Sequence, residues 1–410
     1  MDAARRHTLI EAEQAARQSY GKLLAILAAR AGDIAAAEDA LADAFTAALT
    51  QWPRDGAPDN PVGWLLTVAR RSLGHAAGRR ATAANATSLL ELLHEERTDR
   101  QASDFGDERL ALMFVCTHPA IDPEAQAPLM LQTVLGLDAA RIAANYLVSS
   151  ATMSQRLVRA KRKIRDAGIA FTVPEPAMLS ERVGNVLSAI YAAYGTAWGD
   201  LTGADSKLDG LAGEAIWLAR LLTRLLPGNA EVMGLLALML HCEARRDARL
   251  ASDGGFVPLF AQDTALWSGA FIAEAEALLR SAAEAAAPGR FQTEAAIQSL
   301  HAHQRMTGER FNGPLVRLYD ALAGFAPTTG VLVARAVAWA EDGAPEMGLR
   351  QIDAIDGASD YQPAWAARAR IRWLAGDEAG AWAAAKTAAG LSRDPGVRRF
   401  LLDGGFRDRT

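Results

Sequence analysis

The chain has 410 residues, half of them hydrophobic, with 43 Lys and Arg against 48 Asp and Glu and a formal net charge of −5. That length supports two to four domains with proper cores. Two distant cysteines, Cys116 and Cys242, give neither a disulfide framework nor a zinc pattern and suit a reducing cytoplasm. Ala dominates, apolar residues recur every three or four positions and β-branched runs are scarce, so the expected fold is all-α. The opening MDAARRHTLIEAEQ lacks the apolar core of a signal peptide. The least polar stretch, Val183–Gly199, contains Asn185, Ser188 and three glycines, and reads as a buried helix rather than a membrane span.

Residues 8–80 read as a compact helical domain with helices over 8–31, 33–51 and 61–80. Gln51–Pro61 is a turn-rich segment with three prolines, and Asn60-Pro61 caps the next helix. Arg70, Arg71, Arg79 and Arg80 form a first basic cluster. Residues 81–106 read as a linker, and residues 91–124 carry nine acidic and three basic side chains. Glu91, Glu95, Glu96, Asp99 and Asp104 in it serve either as a mimic of nucleic-acid phosphates or as a plain acidic tether.

Residues 107–168 form a second helical domain, and its end is the most informative stretch of the chain. Between Arg141 and Arg165 there are seven Lys or Arg and no Asp or Glu. A basic island in an acidic protein points to a polyanion. Ile142, Ala143 and Leu147 share a helical face, Ser149 or Ser150 caps a new helix, and Met153, Leu157 and Ala160 repeat at helical spacing. Two short helices with the second one basic read as a helix-turn-helix. The start of a recognition helix reaches base edges, which makes Ser150, Thr152, Ser154, Gln155 and Arg156 the base-contact candidates. Arg159, Lys161, Arg162 and Lys163, further along, are the phosphate-contact candidates.

A second linker covers 169–180, with Pro174 and Pro176, and residues 181–410 are helical again. Trp365, Ala369, Gly376, Ala381 and Ala388 have the spacing of a tetratricopeptide-like helical hairpin, and Ala336, Gly343 and Gly348 stand about 33 residues earlier. The tetrapeptide DGGF occurs at Asp253–Phe256 and Asp403–Phe406, where a glycine turn is the simpler reading and a binding turn the other.

The order of these modules resembles an extracytoplasmic-function sigma factor of bacterial RNA polymerase, of the subgroup with a long tetratricopeptide-like C-terminal extension. The resemblance is carried by AAAEDALADAFTAAL (Ala35–Leu49), QWPRDGAPDNPVGWLLTVARR (Gln51–Arg71), Asp107–Leu131 with the helix-turn-helix after it, and EVMGLLALMLHCEARRDAR (Glu231–Arg249). It implies a sigma domain 2 over 1–80 that binds core polymerase and the minus-10 element, and a sigma domain 4 over 107–168 for the minus-35 element. It also implies a polymerase-binding face at Glu38, Asp39 and Asp43, and a minus-10 role for Arg70, Arg71, Arg79 and Arg80. Where sigma helices usually carry Asn, Asp and further arginines, this chain has Gly74, His75 and Gly78, and glycine costs a helix about 1 kcal/mol relative to alanine.

The expected partners are core polymerase, double-stranded promoter DNA, and a regulatory protein or ligand on the repeats, with no membrane. No phosphate loop, HExxH or nucleophile elbow is present. Cys116 and His118 lack the companions of a metal site. The expectation is therefore a cytoplasmic, non-enzymatic protein without cofactor. The rival reading is a helical-repeat scaffold, binding a ligand or partner, whose sigma-like module is vestigial.

Overall fold

The computed structural model describes residues 19–81, 108–146, 148–198, 206–251 and 255–407. Its regular elements are α-helices and short 3-10 turns; among the described residues the one β feature is a bridge between Leu250 and Phe256. The protein is all-α. The chain divides into two compact units, Met1–Ala197 and Trp198–Thr410.

In the first unit, α1 (19–31) leads into α2 (Ile34–Asp55) through Gly32 at φ +63°. The Asp33 carboxylate accepts from the Ala35 and Ala36 amides at 2.9 and 3.3 Å and satisfies donors the helix itself leaves open. Ile34, Ala37, Leu41, Ala44, Ala48 and Trp52 are buried along one stripe of α2. Helix α2 runs four residues past the expected end at 51, through Pro53 to Asp55, because Trp52 belongs to that stripe. The Trp52 ring meets Trp64 edge-on at 5.4 Å, pinning α2 to α3 (Pro61–Ala81). Asn60 caps α3 as expected, accepting from the Gly63 amide at 3.0 Å.

The rest of this unit is α4 (Glu108–Cys116), α5 (Pro123–Leu135), α6 (Ala139–Asn145), α7 (Ser150–Asp166) and α8 (Pro176–Trp198). Every residue of α4 from Leu110 to Cys116 is buried, and α4 packs against α5. The Cys116 thiol lies 3.2 Å from the Thr133 hydroxyl of α5, and burial pushes its pKa up to about 12. Helix α8 starts at Pro176, inside the segment expected to be a linker. Its Arg182 donates to the Phe114 carbonyl and stacks over that ring.

The second unit is a run of helices, α9 (Ser206–Leu225), α10 (Ala230–Glu243), α11 (Gly269–Glu284), α12 (Arg290–Thr307), α13 (Asn312–Phe325), α14 (Thr329–Glu341), α15 (Pro345–Asp353), α16 (Gln362–Leu374), α17 (Glu378–Leu391) and α18 (Pro395–Leu402), in which successive helices pack against each other. Helix α10 is buried on all sides. Its Glu231 carboxylate reaches across to cap α12, accepting from the Phe291 and Gln292 amides, both at 3.0 Å. Gly348 of α15 is needed for close approach: a Cβ there would stand 2.6 Å from the Ala336 carbonyl oxygen of α14. Ala369, Ala381 and Ala388, fully buried, do the same for α16 and α17.

Candidate nucleic-acid interface

Helices α6 and α7 are joined by residues 146–149. Asp138 caps α6 through the Arg141 amide at 2.8 Å, and of the two candidate serines it is Ser149 that caps α7, through the Thr152 amide at 3.0 Å. Met153, Leu157, Ala160, Lys161 and Ile164 form the buried side of α7. Ser150, Thr152, Ser154, Gln155, Arg159, Arg162 and Lys163 are all exposed; Thr152, Gln155, Arg159, Arg162 and Lys163 lie opposite the buried side, and Ser150 and Ser154 border it at the start of the helix. Seven of the nine DNA-contact candidates therefore face solvent, five of them on one side of the helix.

Two candidates do not. Arg156 is turned sideways to Glu124 in the first turn of α5, with an N–O distance of 2.8 Å, and keeps 20 % of its side chain exposed. Lys161 is not a surface residue: it is 8 % exposed, and its Nζ donates to both carboxylate oxygens of Glu38 at 2.6 and 2.7 Å. The phosphate-contact assignment of Lys161 is corrected accordingly. The reason is helical phase, since Lys161 stands four residues after Leu157 and eight after Met153 on the buried side.

The exposed surface also carries an apolar residue that the charge pattern alone does not single out. Val158 is 64 % exposed in the middle of it, an apolar spot suited to a thymine methyl group. Arg165 is exposed beside Asp166, with an N–O distance of 2.9 Å. Arg165 and Arg162 together hold the Asp166 carboxyl below the usual carboxylate range. The signal for Val158 lies in the phase of the helix, which puts it opposite buried Ala160 two residues on.

The acidic residues of α2 do not form a single face. Glu38 points to Lys161, and burial pushes its carboxyl up more strongly than Lys161 pulls it down. Asp39 is exposed, and Asp43 accepts from the Ser72 hydroxyl of α3 at 2.5 Å. On α3, Arg70 is half-buried and Arg71 exposed. The side chains of Arg79 and Arg80 and the acidic segment from Glu91 to Asp104 lie outside the described residues.

In the second unit, part of each DGGF copy lines one cavity of about 480 Å³, with Gly255 and Phe256 from the first and Asp403, Gly404 and Gly405 from the second. The second copy is a glycine turn with Gly404 at φ +79°. Phe400 fills the wall between the copies, edge-on to Phe256 at 5.9 Å.

Fold and site together define an all-α protein in which a short helix, α6, is joined to a longer, capped and basic one, α7. Residues 182–283, from α8 into α11, match a family of unknown function (DUF6596). The chain is 37 % identical over 326 residues to the uncharacterized protein R00370 of Rhizobium meliloti (strain 1021), covering 78 % of this chain and 77 % of that protein. The chain belongs to the same family as that protein. No solved structure matches it. No helix among the described residues is long and apolar enough to cross a membrane.

Proposed function

We propose that this protein is a sigma factor of the extracytoplasmic-function type, acting in the cytoplasm, with residues 181–410 as a helical regulatory extension. The carrying observation is the exposed surface of α7, where Ser150, Thr152, Ser154 and Gln155 at the capped end give way to Arg159, Arg162 and Lys163. Polar groups at the start of a groove-entering helix read base edges, and cations further along hold phosphates. Val158 adds an apolar contact between the two sets. Exposed Asp39 on α2 and Arg71 on α3 supply surface for core polymerase and for the minus-10 element. The chain performs no covalent chemistry in this reading; it recruits polymerase through two tethered, individually weak DNA contacts.

Transcription in vitro with core polymerase tests this. Run-off product from a promoter selected by the chain, abolished on replacing Gln155 and Arg159 with Ala, is the expected result. The absence of both polymerase binding and promoter-dependent product defeats it. The cavity between the DGGF copies favours, as a second reading, a ligand-binding role for the extension. Ligand-detected binding to residues 198–410 that is unaffected by changes in α7 is its signature.

A further inference from the structure

Three features of the first unit concern one contact, between the helical pair α1–α2 and the module α4–α7. The first is the Lys161–Glu38 pair, two charges drawn from modules 123 residues apart and buried against each other. The second is Gly21 of α1, where a Cβ would fall 2.0 Å from the Val134 carbonyl oxygen of α5. Any side chain there forces the two backbones apart, so glycine fits this contact and little else. The third is Tyr20, whose ring would meet a Cβ at Gly136 within 2.9 Å and whose phenol is pushed up by burial and by Glu38. Asp33 and Arg165 approach at 3.9 Å on the rim of the same contact.

A buried ion pair is poor at adding stability and good at fixing one arrangement, because either partner alone is left buried and uncompensated. We propose that the free chain holds these two modules in a closed form, seated on Gly21 and latched by Lys161 and Glu38, and that this latch opens before the chain engages two DNA elements at once. The second half rests on the sigma-factor reading. Elements named minus-10 and minus-35 lie about 25 base pairs apart, roughly 85 Å at 3.4 Å per base pair. Modules joined at a 2.6 Å ion pair do not span that distance. The 26 residues between Ala81 and Glu108 reach at most about 90 Å when extended, so the connector is long enough for separation. Closure leaves the open face of α7 exposed and covers Glu38 on α2. The latch therefore gates the α2 surface and the spacing of the modules, and not the reading of bases by α7.

The test is a distance measurement by dipolar spectroscopy on the full chain, with nitroxides at Thr46→Cys and Ala120→Cys, both exposed and outside the docked contact, in a Cys242→Ser background. The free protein is expected to show one narrow distance. Gly21→Leu should replace it with a broad, longer distribution, while Lys22→Leu, at an exposed neighbouring position, should leave it in place. Should Gly21→Leu fail to fold, the ion pair provides the second route. Lys161→Met alone should raise the open population about tenfold or more, and Glu38→Leu with Lys161→Met should restore closure. A broad distribution in the wild type, or equal distances in single and double variants, overturns the latch. Addition of core polymerase and a two-element promoter should then remove the short distance; its persistence in the bound complex overturns the gating. A chain that is closed when free, opens with Gly21→Leu and never binds polymerase sustains the latch and defeats the sigma-factor reading.

Discussion

The helical hairpins of the second unit and the docked modules of the first both join helices through small residues and a buried ion pair, but in different proportions. In α14–α17 the helices approach through small residues: Ala336, Gly348, Ala369, Ala381 and Ala388 are buried and carry no polar group to satisfy. Between α1–α2 and α4–α7 the contact has one such glycine, Gly21, and a buried ion pair beside it. Small-residue packing tolerates repetition, because each hairpin meets its neighbour in the same way. A buried charge pair specifies a single partner, since any other arrangement leaves a charge without its counterion. The repeats carry one such pair as well, Arg370 of α16 donating to Glu341 of α14 at 2.7 Å, set within a longer seam of small residues.

Changing each interface tests this contrast, and the largest effect is expected where a charge is stranded. Lys161→Met should lower the stability of the first unit by about 3 kcal/mol, at the low end for a broken buried pair because Glu38 keeps 22 % of its side chain exposed. Chemical denaturation of the variant measures it, and adding Glu38→Leu should recover most of the stability. In the repeats, Gly348→Ala should cost about 2 kcal/mol by overpacking against the Ala336 carbonyl and the Ala340 methyl group, with no partner change that restores it. Ser149→Ala should cost about 1 kcal/mol by removing the cap of α7, visible as a lower melting temperature.

On DNA, Arg162→Ala should reduce the slope of log affinity against log salt by about 0.9, the share of one neutralised phosphate. Lys161→Met should leave that slope unchanged, because its ammonium faces Glu38 and not solvent. Titration of filter-binding affinity against salt separates the two.

Much of the architecture is readable from the amino-acid order. The caps at Asn60 and at the start of α7, the basic helix and the small residues of the late hairpins are local signals, set by the chemistry of neighbours three or four positions apart. The shared face of Thr152, Gln155, Arg159, Arg162 and Lys163 follows from the same periodicity. The extension of α2 to Asp55 is hidden by Pro53, which a helix accepts in its last turn when a buried Trp52 holds that turn in place.

The partners of Glu38, Arg156 and Lys161 could not be read in this way. Along the chain all three resemble ordinary surface charges, and the helical phase of Lys161 shows that it points inward without showing what it meets. Only the packing of α2 against α7 brings Glu38 to within 2.6 Å of a residue 123 positions away, and only the seating of α1 on α5 explains why Gly21 is a glycine. Periodicity reports the direction of a side chain relative to its own helix. Which counterion waits there is decided by the arrangement of the other helices, and that arrangement exists only in the tertiary structure.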